Sequence, residues 1–163
     1  MQTDSDIELD TTGWHPRIAR LFRYWRAIRP PDLPLPGRQH FDPIAVPDLL
    51  PGIWLLDVQR EPFRLRYRLA GTGIVAAVRR EVTGLWLDQA HPGAMETLDF
   101  VRRYRGVVER GVPDRRKGKP RPWIDPDYTL SETLLLPLAR DGRRVDMLCA
   151  CTVLHRRDGS VAF

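Results

Sequence analysis

The chain has 163 residues, 42% hydrophobic and 29% charged, which is enough for one domain and a short extension with an ordinary core and no need of staples. No apolar run approaches the roughly 20 residues of a membrane-spanning helix, and the opening MQTDSDIELD lacks both the basic start and the apolar stretch of a secretory signal, so a soluble, cytoplasmic protein with no membrane contact is expected. The formal net charge of +5 bears on solubility and nonspecific contact before it bears on function.

Residues 1–11 are polar, acidic and without period, and read as a disordered head. In the N-terminal segment 12–31, Trp14, Ile18, Leu21, Trp25 and Ile28 recur at spacings of 4, 3, 4 and 3, so they share one stripe of a helix while Arg17, Arg20, Arg23 and Arg26 lie off it. Pro16 suits the first helical turn and Pro30-Pro31 stops the helix. Residues 32–52 hold five prolines and form a connector with at most a short turn at Ile44 to Leu50. A domain spanning 53–156 and a tail, 157–163, complete the chain.

Within that domain, 53–58 and 63–70 read as two strands. In FRLRYRLA, Phe63, Leu65, Tyr67 and Leu69 point one way and Arg64, Arg66 and Arg68 the other, so one face is wet. Thr72 to Val78 reads as a short helix capped by the Thr72 hydroxyl, and 79–92 as short helical or irregular. From Ala94 to Glu109, Leu98, Val101, Tyr104 and Val108 keep helical spacing between Pro92-Gly93 and Gly111-Val112-Pro113. A further strand between about 112 and 130 is interrupted by prolines. Residues 131–139 and 144–156 flank Arg140-Asp141-Gly142-Arg143 and should pair antiparallel. Strands grouped around helices indicate an antiparallel α+β domain.

Gly71-Thr72-Gly73 with Ala76 has the spacing of a dinucleotide fingerprint, and Asp88 stands where the ribose-binding acid would be. The strand before it is of the wrong kind: alternate arginines cannot lie between two helical layers, as a buried parallel strand requires. The glycines are better read as turn residues.

Cys149 and Cys151 share one strand face, a poor geometry for a disulfide with each other, and are too few for a structural zinc set; they read as small packed hydrophobes. No nucleophile with its base, close acid pair or metal-ligand spacing is apparent, so a non-catalytic role is expected. Asp125 and Asp127 read as turn chemistry. One alternative is a small α+β cone-type enzyme with Asp57 or Asp146 serving a cavity. Another is a polyanion- or nucleic-acid-binding protein, because residues 102–121 carry nine basic side chains against two acidic ones. Its candidate patch is Arg115, Arg116, Lys117 and Lys119, set against the plainer reading of a solvated helix face and a mobile loop.

Tyr24-Trp25, Leu49-Leu50-Pro51, Leu55 to Val58, Phe63 to Thr72, Arg80 to Gly84, Leu134 to Leu138, Asp141-Gly142 and Val145 to Met147 form an ordered set over about residues 20 to 154. This set resembles the PAS-domain family found as small stand-alone proteins in alphaproteobacteria. Two departures are Arg79, where that family usually has glycine, and the Pro-rich basic segment 112–128. The resemblance implies a PAS-like five-stranded antiparallel sheet with helices on one face and an N-terminal amphipathic helix.

It also implies a sensory or regulatory module that binds a small molecule or a protein partner and signals by contact, commonly as a homodimer through a helix before the core. That makes Trp14, Ile18, Leu21, Trp25 and Ile28 the dimerisation candidates. A pocket between the inner sheet face and the short helices would be lined by Trp54, Leu56, Phe63, Leu65, Tyr67, Ile74, Val78, Met147, Cys149 and Cys151; the alternative is that the same residues simply fill a core. The cofactor is left unknown. The helices corresponding to the flavin photoadduct motif contain no cysteine, which disfavours that chemistry, and haem would have to rely on His91, a lone histidine beside Pro92. Nucleic acid is disfavoured as a partner.

Overall fold

The computed structural model describes residues 10–163, so the expected disordered head lies outside the described residues apart from its last two positions. Helix α1 (Pro16–Ala27) starts as its sequence dictates: Pro16 occupies the first turn, and His15 caps it by accepting the Arg17 N–H at its Nδ1, 3.2 Å away. Three short 3₁₀ turns, Arg38–His40, Pro43–Ala45 and Pro47–Gly52, carry the Pro-rich connector. After them come β1 (Ile53–Gln59), β2 (Arg64–Ala70), α2 (Thr72–Val78), α3 (Leu87–Ala90), α4 (Leu98–Arg110), β3 (Asp114–Gly118), β4 (Tyr128–Leu138) and β5 (Met147–Arg156). The strands form one antiparallel sheet in the order β2-β1-β5-β4-β3.

Register assigns the faces. Trp54 lies opposite Ala150, Leu56 opposite Leu148 and Tyr67, and Thr133 opposite Thr152, all on the inner face towards α2, α3 and α4. Leu55 lies opposite Cys149, and Ile53 and Leu134 opposite Cys151, on the outer face. Helix α1 lies across that outer face over β4 and β5. There Trp25 donates its Nε1–H to the Pro137 carbonyl at 2.9 Å, and the His15 N–H donates to Glu132 Oε1 at 3.0 Å. Helical cover on both faces explains why β4 and β5 are buried over most of their length.

The N-terminal stripe is thus used within the chain. Ile18 and Leu21 are fully buried and Trp25 nearly so, whereas Trp14 and Ile28 are half-buried. A dimer made through this stripe would require it to leave its own sheet.

Several local expectations shift. Between Leu55 and Leu56 the β1–β2 register slips, so that Leu55 faces Leu69 while Leu56 faces Tyr67; the bulge turns Leu69 to the outer face, where it is 43% exposed. Leu98 is the first residue of α4 and is exposed, and the buried stripe is Phe100, Tyr104, Val107 and Val108. Thr72 is not the cap of α2: the cap position belongs to Gly71, and Thr72 is already helical. The segment 157–163 is tied down, with the Ala162 N–H bonded to the Leu154 carbonyl and Phe163 packed on the core.

The arginines of β2 are only partly in water. Arg66 and Arg68 are exposed, bonded to the Gly84 carbonyl and to Asp57 respectively. Arg64 is half-buried, reaches both oxygens of Asp88 at 2.9 Å and lies over the Trp86 ring. These contacts fasten the segment 84–88 along the free edge of β2, with Tyr67 exchanging backbone hydrogen bonds with Leu85 and Gly84.

Candidate functional site

The glycine turn has a structural explanation at each position. A Cβ on Gly71 would lie 2.2 Å from the Leu50 carbonyl oxygen, so the glycine permits close approach of the chain before β1. Gly73 is covered by the Phe163 ring, which a Cβ would meet at 2.5 Å, on the ground where a pyrophosphate would have to rest. Asp88 is held by Arg64, whose hydrogen bond keeps its carboxyl below the usual range. Strand, turn and acid all serve the fold.

The inner sheet face and α2–α4 enclose a cavity of about 60 Å³, well under the roughly 300–1,000 Å³ of drug-sized sites but enough for a very small molecule or a few waters. Trp54, Tyr67, Ile74 and Val78, four of the sequence candidates, stand in its wall. Leu56 and Leu65 share that sheet face but are packed solid, and Phe63 is half-buried under Arg105 of α4. Met147, Cys149 and Cys151 are on the outer face: by register they align with Asp57, Leu55 and Ile53. They do not line the cavity. The two cysteines are fully buried, and burial pushes both thiols up, Cys151 to about 12, so they behave as hydrophobes.

The rest of the wall comes from residues that the sequence did not single out for a pocket. Helix α4 supplies Phe100 and Tyr104, stacked at 4.1 Å between ring centroids; the loop after β3 supplies Arg121, Trp123 and Ile124. From β4 and β5 come Ser131, Thr133 and Thr152. The Trp54 Nε1–H donates to Thr152 Oγ1 at 3.1 Å, and the Thr133 and Thr152 hydroxyls lie 2.9 Å apart. Behind the wall, the Tyr67 hydroxyl lies 2.9 Å from His91 Nε2, and the His91 ring stacks on Trp123 at 4.7 Å. Burial lowers His91 to about 4, with Arg80 acting in the same direction, so its imidazole is neutral. Both ring face and Nε2 of the one histidine weighed for haem are therefore engaged in packing and hydrogen bonding.

Arg115, Arg116, Lys117 and Lys119 do not make one patch. Strand alternation in β3 sends Arg115 to the outer face, where its Nε bonds buried Glu132 at 2.9 Å and its guanidinium lies over Trp14. Arg116 turns inward to the cavity, and Lys117 and Lys119 are exposed. Positive charge gathers instead from distant segments around an open groove of about 710 Å³, edged by Arg26, Arg29, Arg60, Arg110, Arg143 and Arg144 with Glu109 among them. Asp57 and Asp146 lie together beside Arg68 and Arg140 in a depression away from the inner cavity. Asp125 Oδ1 accepts the Asp127 N–H at 2.9 Å, an Asx turn as its spacing suggests.

The family model for the PAS domain matches residues 14–152. No curated protein and no solved structure matches the chain.

Proposed function

The chain belongs to the PAS-domain family, and on that premise we propose that it is a non-catalytic sensory or regulatory module holding a small molecule in the cavity between its sheet and α2–α4 and signalling by contact. One observation carries this reading: the inner cavity combines an aromatic wall with a few convergent polar groups, the arrangement by which ligand sites are recognised. A molecule that prefers one placement of α4 and the loop 119–127 over another would shift the population between them. Helix α4 is coupled to the sheet through Arg103, which bonds Asp114 of β3, and the loop is coupled to α4 through Arg121, which bonds Asp99. Contact with a second copy through α1 would use what that helix leaves outside, Arg20 and Arg23 among it. The experiment is native mass spectrometry of freshly purified protein together with a thermal-shift screen of small metabolites. A retained or stabilising molecule supports the proposal, and neither one across a broad screen argues for a filled core and a pure protein-interaction role.

A second reading is favoured by the arginine-edged groove, whose charge suits a polyanion. It expects affinity for nucleic acid to fall steeply with salt. A flat salt response would remove it.

A further inference from the structure

We propose that the inner cavity is an anion site whose ligand is a small carboxylate with an apolar body, the carboxylate being held by Arg116 with Arg121 and Arg103 beside it. This rests on the reading of the cavity as a ligand site and names the class of ligand. The wall contains three guanidinium groups and no carboxylate. Arg103 is already neutralised by Asp114, which it meets through both Nε and Nη2. Arg121 reaches only a largely exposed Asp99, at 3.4 Å. Arg116 donates to the Lys119 carbonyl at 2.9 Å and has no carboxylate partner among the described residues.

A half-buried cation beside two others is unfavourable until an anion arrives, because it has given up water without gaining a countercharge. In agreement, burial, and then Arg121 and Arg103, hold the Arg116 guanidinium below its ordinary pKa. The planar guanidinium fork matches a carboxylate. The rest of the wall selects the body of the ligand. Trp54 lies 5.9 Å from Tyr67 and 6.3 Å from Tyr104 between ring centroids, an aromatic surround of mutually tilted rings. Tyr104 also stands in the wall and brings a hydroxyl to the site. With only about 60 Å³ available, a monocarboxylate of few carbons fits this description and a sugar phosphate or nucleotide does not.

The test is a ¹H–¹⁵N titration of the full chain with acetate and propionate, each against its neutral amide, following the indole N–H signals of Trp54 and Trp123. The carboxylates are expected to shift both indoles and to bind about tenfold or more tightly than the amides. Arg116→Gln should weaken carboxylate binding about tenfold and leave amide binding alone. Arg121→Gln, a substitution in a loop, serves the same purpose if the first variant does not fold. Amides that bind as tightly as carboxylates would overturn the anion class while leaving the cavity a ligand site. Carboxylates that move only signals around the arginine-edged groove, or no probe that moves either indole, would overturn both.

Discussion

Tyr67 on β2 and His91 beyond α3 are joined hydroxyl to Nε2 at 2.9 Å, with the imidazole buried and neutral. The folded-state pKa, about 4, lies below the ordinary 6.5, so the unfolded chain takes up a proton that the folded one refuses. The contribution of His91 is therefore complete above pH 6.5 and is lost as pH falls towards 4. Its size is roughly 3 kcal/mol at 1.36 kcal/mol per unit. His15, lowered by its own burial, acts in the same direction. The difference between wild type and His91→Gln therefore isolates His91. Urea melts at pH 7 and pH 4.5 should show a smaller acid loss in the variant, and parallel losses would contradict the assignment.

Arg79 is the one non-glycine residue with positive φ among the described residues, at 59°, and it closes α2 in the left-handed conformation. The family's usual glycine at this position has its explanation there. Arg79 also pairs with Asp125 at 2.7 Å. Arg79→Ala keeps the backbone strain and loses the pair, so it should destabilise by roughly 1 kcal/mol, whereas Arg79→Gly relieves the strain and should fall within about 0.5 kcal/mol of wild type. Thermal melts of the two variants distinguish this account, which fails if alanine is the better tolerated.

Glu132 is almost wholly buried and accepts from Arg115 and from the His15 N–H, tying β3 and the start of α1 to the sheet. Arg115→Met should cost about 3 kcal/mol by leaving that carboxylate without its cation, and Arg115→Met with Glu132→Leu should recover part of the loss. A double-mutant cycle in urea measures the coupling. Simple additivity would show that the pair is independent.

Because Ile18 packs against the chain's own sheet, Ile18→Ala should cost about 2–5 kcal/mol whatever the protein concentration. If the stripe were instead the interface of an obligate dimer, the midpoint of unfolding would rise with concentration. Melts across a hundredfold dilution series decide between them.

The sheet was legible because FRLRYRLA alternates cleanly, and α1 because its apolar spacing is regular. The phase of β5 was not. In MLCACTVLHR both faces are apolar, since one meets α1 and the other the cavity, so no polar contrast marks which side holds Cys149 and which holds Thr152. In the sequence the cavity's arginines cannot be told from the charge run around them, because Arg103, Arg116 and Arg121 converge only once α4, β3 and the following loop are folded together. Nor does local sequence reveal that Phe163 ends on Gly73, or that one extra residue in β2 turns Leu69 outward. A Thr152 hydroxyl between Trp54 and Thr133 is the clearest sign of a pocket, and it depends on pairs far apart in the chain.

The most direct measurement is a crystal structure of the protein carrying the molecule it retains, or the compound that stabilises it most. The account expects density for that molecule between Trp54, Tyr104 and Thr152, with its charged end at Arg116. Density elsewhere, with those side chains closed on one another, would contradict it.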